Sequence, residues 1–572
     1  MSEAAKNETI SSPVINIYQM FPRLYGNRKT TNKPGGTIAE NGCGKMADIT
    51  SAVLDRLHEY GFTHIWYTGI IEHATRTDYS AQGIRPDHPA VVKGQAGSPY
   101  AIKDYYDVDP DLAENVGERM KEFNALVKRT HKSGLKVVLD FVPNHVARQY
   151  HSDAKPARTK DLGECDDTTK SFSLQNNFYY IQQQPLNLCN ISGAVSYAGQ
   201  QLYKEYPAKA TGNDCFHAYP GTNDWYETVK LNYGIDYLGG RSLHCAPIPD
   251  TWKKMVAILQ FWARKGVDAF RCDMAEMVPV EFWEYAIPAL KAKYPDLLFI
   301  AEVYNPAEYR NYLHRGKFDY LYDKVGLYDT LKGILQHHTS AAALTGCWQS
   351  IDDIRGNMLN FLENHDEQRI ASDYFCGNAF RALPAVAVSA LMTGAPYMVY
   401  AGQELGERGM DAEGFSGCDG RTTIFDYWGV ESLQKLAAGA KDLTEKEQTL
   451  YDYYHRILRL RLDEPVIGRG DFYDLMYVNY DRSYGFNPDF QFAFLRHWKN
   501  EVVLAICNFL DEPVYTGVRI PQHAFDLFRL RPGIFSAVDM LTGHSQTIEL
   551  KPDCHTMADV PAQGVALLKF CI

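Results

Sequence analysis

Charged side chains close several apolar segments of this chain. Arg271 and Asp273 end the segment GVDAFRCDMAE (266–276), which otherwise has the composition of a buried strand. Residues two apart on a strand point to the same face, so this cation and this anion lie side by side. Glu302 closes LLFIAEV (297–303) in the same way. Burying such charges costs about several kcal/mol per ion unless they are well paired, which points to chemistry rather than packing alone.

Two further apolar segments end in polar clusters. One is DFVPNH (140–145), which ends at His145, and the other is ENHD (363–366), which contains His365 and Asp366. Each residue taken alone also has a structural explanation, as part of a buried ion pair, as a capped loop residue or as a core histidine. Taken together, three carboxylates, two histidines and an arginine would converge on one rim. That convergence favours an active site.

The elements that would position this rim alternate between apolar strands and amphipathic helices. We predict strands at 14–21, 64–70, 135–141, 266–276, 297–303, 318–322, 358–362 and 397–401. Helices are predicted at 49–60, 115–133, 251–265, 280–293 and 445–462. Eight strands with intervening helices predict an α/β fold, a parallel (β/α)8 TIM barrel. Reactive groups in such barrels stand at the C-terminal ends of the strands.

Two regions depart from this alternation. Residues 147–237 are polar, aromatic and rich in Asn and Gln without a sustained period, which predicts an inserted domain B after the third strand. After the helix at 445–462 the period changes to two, which predicts a C-terminal antiparallel all-β domain. We therefore expect the barrel in two parts, at 1–146 and 238–465. The inserted domain would cover 147–237 and the C-terminal domain 466–572.

Composition limits the partners and the compartment. The net charge of −12 offers no basic patch to nucleic acid or to an anionic membrane, so neither partner is expected.

The N-terminal residues lack the apolar region of a secretion signal. The uncharged run 382–402 is cut by Gly394-Ala395-Pro396, which predicts a buried helix and strand rather than a membrane span. Twelve cysteines without CxxC pairs indicate reduced thiols in a cytoplasmic protein.

The ordered motifs resemble those of the α-amylase family of glycoside hydrolases, family 13. DFVPNH, FRCD (270–273), AEVY (301–304) and ENHD follow the family's order. Supporting matches are YQMFPR (18–23), SPYAIKDYYDVDP (98–110) and GAPYMVYAGQE (394–404). The resemblance covers residues 14–465, and it implies a TIM barrel with a domain B and an all-β domain C. The implied activity is retaining hydrolysis of α-1,4-glucosidic bonds in starch-derived α-glucans or maltooligosaccharides.

The resemblance also implies a role for each charged residue of the rim. Asp273 is similar to the family's nucleophile, Glu302 to its general acid/base, and Asp366 to the carboxylate that holds sugar hydroxyls in the transition state. Arg271 would orient Asp273 and keep it ionised, since a nearby cation lowers the pKa of a carboxyl group.

Three more residues would bind the sugar at the cleavage point. By the same resemblance, His145 and His365 would hydrogen-bond its hydroxyl groups, and Tyr100 would supply the stacking surface beneath it. Glu276 and Met277 stand where typical α-amylases carry Lys-His after the nucleophile. The acceptor side of the site is therefore not inherited from the resemblance.

The metal expectation rests on two asparagines. Asn144 and Asn232 match positions that often ligate calcium in the family, and oxygen ligands suit that hard cation. The motif that usually ends Asp-Leu-Asn, however, reads Lys230-Leu231-Asn232 here. A fixed positive charge repels a divalent ion. We therefore expect that no cofactor is required and that activity does not depend on calcium.

Several activities stay open at this stage. Exo-acting α-glucosidases, 4-α-glucanotransferases and maltosyltransferases share the fold, and SPYAI (98–102) is similar to some of those transferases. A catalytically inactive sugar-binding protein is the alternative from another class, although such relatives usually lack one of the three carboxylates. The sequence leaves the preferred chain length, endo or exo action and the oligomeric state open.

Overall fold

Eight parallel strands form a closed barrel in the computed structural model, which describes residues 13–191 and 202–572. The strands follow one another around the barrel in chain order. They are Asn16–Met20, His64–Tyr67, Lys136–Phe141, Ala269–Cys272, Leu298–Ala301, Tyr320–Tyr322, Met358–Phe361 and Tyr397–Tyr400. The predicted (β/α)8 barrel is confirmed, and every predicted strand overlaps one of these.

Helices cover the outside of the barrel, and the strands are therefore buried on both faces, as expected of parallel sheets. The longer helices are Ser51–Tyr60, Arg119–Lys132, Asp250–Ala263, Val280–Lys291, Asp329–Leu335, Ala343–Ser350, Leu383–Leu391, Glu431–Ala437 and Glu445–Asp463. Local signals fix their ends. Thr444 and Glu447 form a capping box at the start of the last helix. Gly61 ends the first with a φ of 111°, a conformation that glycine adopts readily.

The uncharged run 382–402 folds as predicted. It forms the buried helix Leu383–Leu391 followed by the eighth barrel strand, Tyr397–Tyr400. Within residues 13–191 and 202–572, no helix combines the length and the apolar character needed to cross a membrane.

The described residues of the insertion after the third strand, which exclude 192–201, form three short antiparallel strand pairs and long polar loops. The pairs are His145–Ala147 with Thr228–Lys230, Tyr180–Ile181 with Ala208–Lys209, and Ile235–Asp236 with Ser242–Leu243. Strands of two or three residues are too short to impose a sequence period, which explains the lack of one in this region. The predicted domain boundaries at 146/147 and 237/238 stay predictions.

A hairpin follows the second barrel strand and was not predicted. It pairs Ile71–His73 with Ile102–Val108 in antiparallel fashion, with an irregular register on both sides of Glu72. The loop between its strands carries Lys93, Ser98 and Tyr100 to the C-terminal side of the barrel. The hairpin therefore supports one wall of the region where the predicted rim lies.

The C-terminal region is built of antiparallel β-sheets, as predicted, with one short helix at Gln522–Phe528. Six antiparallel strands form one sheet in the spatial order Asp471–Asp474, Gln491–Trp498, Glu501–Asn508, Gly564–Cys571, Gly533–Asp539 and Ser545–Leu550. A separate pair joins Val514–Ile520 to Cys554–Val560. All twelve cysteines lie in the described part of the chain, and each is a free thiol.

Candidate active site

A cleft of about 380 Å³ opens at the C-terminal side of the barrel. Five of the residues selected from the sequence line it: Asp273, Glu302, Asp366, Tyr100 and His145. Asp273 and Glu302 directly follow the neighbouring fourth and fifth strands, and Asp366 lies in the loop after the seventh. The closed barrel thus gathers carboxylates from distant parts of the sequence at one place, as expected of this fold.

Arg271 lies beneath the cleft and contacts three carboxylates. Its Nη1 atom is 2.8 Å from Asp273 Oδ1 and 3.3 Å from Asp140 Oδ1, and its Nη2 atom is 2.8 Å from Glu302 Oε2. Its Nε–H donates a hydrogen bond to the hydroxyl of Tyr322 at 3.0 Å. The side chain is only 1 % exposed. Arg271 therefore orients Asp273 and Glu302 together, because one rigid guanidinium holds both.

The electrostatic effect on Asp273 differs from the expectation. Burial raises the pKa of Asp273 well above its usual value, and the nearby carboxylates of Glu302 and Asp366 raise it further. Arg271 lowers this pKa, as expected, but it does not outweigh the other contributions. The physical reason is that a single cation is shared among several carboxylates in a buried site.

Glu302 is held by two hydrogen-bond donors besides its ion pair. The backbone N–H of Met274 donates to Oε2 at 2.7 Å, and the hydroxyl of Tyr304 donates to Oε1 at 2.6 Å. Met274 has a φ of 42°, a left-handed conformation that costs a non-glycine residue about 1–2 kcal/mol. This turn directly after Asp273 is what aims the Met274 N–H at Glu302. Backbone strain of this kind clusters at functional sites.

Asp366 is the most open of the three cleft carboxylates, with a side chain that is 44 % exposed. Its Oδ2 atom lies 3.0 Å from Nε2 of His365. The position within the cleft raises the pKa of Asp366, but His365, Arg271 and Arg421 outweigh this effect and bring it to about 2. Asp366 is therefore ionised at neutral pH.

His365 lies behind the cleft rather than among the residues that line it. Its ring stacks on Tyr100 with centroids 5.0 Å apart, and its Nδ1 atom is 2.9 Å from Nε2 of Gln19. These contacts fix the ring beneath Tyr100 and beside Asp366. His365 thus contacts two cleft residues, and its hydrogen bond to a sugar hydroxyl stays a prediction.

His145, at the start of the strand His145–Ala147, and Tyr100, in the hairpin loop, both line the cleft. Burial lowers the pKa of His145 to about 3, and the positive charges of Lys230 and Lys93 contribute. The imidazole is therefore neutral at physiological pH and can both donate and accept hydrogen bonds. Tyr100 donates from its hydroxyl to Asp140 at 3.4 Å and stacks on His365, so two contacts anchor it where it lines the cleft.

The two asparagines selected for calcium have their side-chain oxygens bound by the protein. Lys230 Nζ donates a hydrogen bond to Asn144 Oδ1 at 2.8 Å, and it lies 2.6 Å from Asp214 Oδ1. The side-chain oxygen of Asn232 accepts from the backbone N–H of Gly234 at 2.8 Å. Both asparagine oxygens therefore have protein partners. At Asn144 that partner is the buried ammonium group of Lys230, which stands where a calcium ion would bind. The residues at this position do not fit calcium.

Sequence reasoning missed several residues of the cleft. Tyr304 stands inside the quoted motif AEVY, so its position could have drawn attention to it. The others lie in loops without a recognisable pattern: Lys93, Trp225, Glu227 and Phe425. Lys93 Nζ lies 2.8 Å from Glu227 Oε1, and both side chains are largely buried. This ion pair joins the hairpin loop to the inserted region across the cleft wall.

Residues 19–470 match the family described as Alpha amylase, catalytic domain. Among curated proteins, Alpha-amylase 3 of Dictyoglomus thermophilum is 24 % identical over 395 residues, which is 65 % of this chain and 68 % of that enzyme. Neopullulanase 2 of Thermoactinomyces vulgaris is 22 % identical over 472 residues, which is 80 % of this chain and 64 % of that enzyme. About a third of each relative therefore lies outside the match.

A solved structure shows the same architecture. The noncanonic maltogenic alpha-amylase AmyB from Thermotoga neapolitana superposes with a TM-score of 0.62 and 19 % identity, over 98 % of this chain and 99 % of that one. At this level of identity the likeness is one of fold. It extends over the barrel, the inserted region and the C-terminal sheets.

Proposed function

This chain belongs to the α-amylase family of glycoside hydrolases, and on that premise we propose that it cleaves α-1,4-glucosidic bonds in starch-derived α-glucans or maltooligosaccharides with retention of configuration. The observation that carries the proposal is the cleft in which Asp273, Glu302 and Asp366 stand together. The relatives named as an alpha-amylase and a neopullulanase are consistent with it.

In the proposed mechanism, Asp273 attacks the anomeric carbon and forms a glycosyl-enzyme while Glu302 protonates the departing oxygen. Glu302 then takes a proton from water, which hydrolyses the intermediate. A retaining enzyme needs its two carboxyl groups roughly 5 to 5.5 Å apart. The single guanidinium of Arg271 that contacts both Asp273 and Glu302 supports this short separation. The excess of carboxylates over cations suits the positive charge of an oxocarbenium-like transition state.

Substrate positioning in this proposal uses the remaining cleft residues. Asp366, ionised and partly exposed, would accept hydrogen bonds from sugar hydroxyls. Neutral His145 would bond a further hydroxyl, and Tyr100 would stack against the sugar ring. His365 would act as a positioning residue, because it holds Tyr100 and Asp366.

We propose that none of this chemistry requires a metal. The ammonium of Lys230 at Asn144 supports independence from calcium at that position. We also propose a cytoplasmic location, which the twelve free thiols support, since disulfides are rare in reducing compartments.

Exo action is the second candidate function, and one observation favours it. Lys93 and Glu227 form an ion pair in the wall of the cleft, and both side chains are largely buried. A closed wall would restrict the cleft to a chain end, whereas endo action needs room for sugars on both sides of the cleavage point.

One experiment separates these activities. The protein is incubated with maltoheptaose, starch, pullulan and glycogen separately, and early products are resolved by size and by proton NMR. The proposal expects several short maltooligosaccharides with the α-anomer released first. Glucose alone from the outset would favour the exo enzyme, and products longer than maltoheptaose would favour a transferase. Initial release of the β-anomer would contradict retention.

A further inference from the structure

A second group of carboxylates lies outside the cleft, on the hairpin after the second barrel strand. Glu72 belongs to the strand Ile71–His73, and Asp104 and Asp107 belong to its partner, Ile102–Val108. The irregular register pairs Glu72 with Asp104 and brings Asp107 to the same place. One carboxylate oxygen from each residue lies within 4.8 Å of the others, and all three side chains are buried. Three carboxyl groups thus share one enclosed position.

Two of these carboxylates are held in place by neighbours. Asp104 accepts hydrogen bonds from the Ser152 hydroxyl at 2.6 Å, from the Tyr106 N–H at 2.8 Å and from the Ala154 N–H at 3.0 Å. Asp107 pairs with Arg119. These contacts orient both groups beside Glu72.

Glu72 itself has no such support. Its residue is 1 % exposed, and neither of its carboxylate oxygens has a hydrogen-bond partner. Burial raises the pKa of Glu72 to about 9, and the charges of Asp104 and Asp107 contribute while Lys103 and Arg119 oppose them. A buried carboxylate without a partner is strongly unfavourable. A cation bound among the three groups would give the Glu72 carboxylate the partner that the protein does not provide.

The local charge and the donor atoms define that cation. A bound cation would hold all three carboxyl groups in their ionised form, with a charge of −3, and Arg119 returns +1, which leaves −2. Lys103 does not change this sum, because its Nζ is paired with Asp87 at 3.0 Å. A donor set of carboxylate oxygens alone suits a hard divalent cation, and both free oxygens of Glu72 can bind together, a mode that calcium accepts.

We propose that Glu72, Asp104 and Asp107 form a binding site for a divalent cation, with Ca²⁺ as the best match. The site is separate from the Asn144 position, where Lys230 stands. A cation there would join both strands of the hairpin to the segment containing Ser152 and Ala154, through Asp104. Because that hairpin carries Tyr100 on its loop, the ion would stabilise the cleft wall without touching the substrate.

The test uses the full chain after treatment with a chelator. Calcium chloride and magnesium chloride are titrated separately by calorimetry, and melting temperature is measured with each. We expect one calcium site in the wild type, and a rise in melting temperature of about 3 °C when calcium exceeds its Kd a hundredfold. Glu72→Gln should weaken calcium binding at least tenfold and remove this rise. Glu413→Gln is the matched control, because Glu413 is equally buried, has an unpartnered oxygen and lies outside the cluster.

Two results would overturn the proposal. One is a wild type that binds no calcium at millimolar concentration, and the other is a Glu72→Gln variant that binds calcium as the wild type does. If Glu72→Gln does not fold, Asp107→Asn provides the same comparison from the opposite strand. None of these measurements uses enzymatic activity, so the outcome is independent of the proposed glycosidase function.

Discussion

The ammonium group of Lys230 lies 2.8 Å from the side-chain oxygen of Asn144, at the base of the inserted region. Lys230 ends one strand and Asn144 directly precedes its partner strand, in which His145 pairs with Lys230. A side chain of the protein thereby supplies the positive charge that a bound calcium ion would otherwise provide. This relationship leads directly to a metal-dependence test.

We expect Lys230→Asp to create a response to calcium that the wild type lacks at this position. The change restores the Asp-Leu-Asn pattern and places a carboxylate near Asn144 and Asp214, so the variant should be less stable without calcium and regain stability with it. Lys230→Met is the control, since it removes the charge without adding a ligand. Both changes are made in Glu72→Gln protein, which removes the hairpin site, and melting temperature is measured with EDTA and with calcium.

Wild-type activity well below the melting temperature should be unchanged by EDTA. A loss of activity that calcium restores would contradict calcium independence.

Asp273→Asn should abolish turnover while it preserves the fold. The substitution removes the proposed nucleophile, for which a loss of at least about 10⁴-fold in kcat is expected. It also removes one of several mutually repelling buried carboxylates, so the melting temperature should not fall. Hydrolysis of maltoheptaose and thermal unfolding are measured on the same preparation. Activity close to that of the wild type would refute the assignment.

Glu302→Gln should affect substrates according to their leaving groups. Natural glucans need a proton on the departing oxygen, so kcat/KM should fall by about 10³-fold or more. Activated aryl or fluoride α-glucosides leave without a proton and should lose far less. Tyr304→Phe is the companion variant, because it removes a hydrogen bond to Glu302 and leaves the acid in place. Equal losses on both kinds of substrate in Glu302→Gln would rule out the acid role.

The acid side of the pH profile should report Asp273. The nucleophile acts only when ionised, and burial raises its pKa, so kcat/KM should decline at a higher pH than an ordinary aspartate would give. Arg271 lowers this pKa, and its loss in Arg271→Met should therefore move the acid limb to still higher pH. Arg271→Lys keeps the positive charge and should move it less. An acid limb that stays in place in Arg271→Met would show that another group controls it.

Lys93 and Glu227 should behave as a coupled pair. Lys93→Met leaves the buried carboxylate of Glu227 without its cation in the cleft wall, so kcat/KM for maltoheptaose should fall by about tenfold. The double variant Lys93→Met/Glu227→Gln removes both charges and should recover part of that loss. Arg310→Met is the control, because its ion pair with Asp353 is exposed and neither residue lines the cleft. Additive losses in the double variant would argue against the coupling.

Some properties of this protein follow from the sequence alone. Apolar strands alternating with amphipathic helices predicted the barrel, because burial on both faces of a parallel strand leaves a continuous apolar run. Polar residues at the ends of those runs predicted which side chains meet at the C-terminal rim, since strand ends in a closed barrel share one side. Asp273, Glu302 and Asp366 could be selected in this way before their contacts were known.

Other properties were decided by the tertiary structure. The sharing of Arg271 among three carboxylates, and the resulting direction of the Asp273 pKa, depend on distances and burial that strand order does not give. Lys230 at Asn144, and Lys93 at Glu227, join segments that have no common pattern. The hairpin carboxylates meet only because of an irregular register that places Asp104 and Asp107 beside Glu72. Electrostatic balance depends on which charges packing brings together, and packing between distant segments leaves no local trace in the sequence.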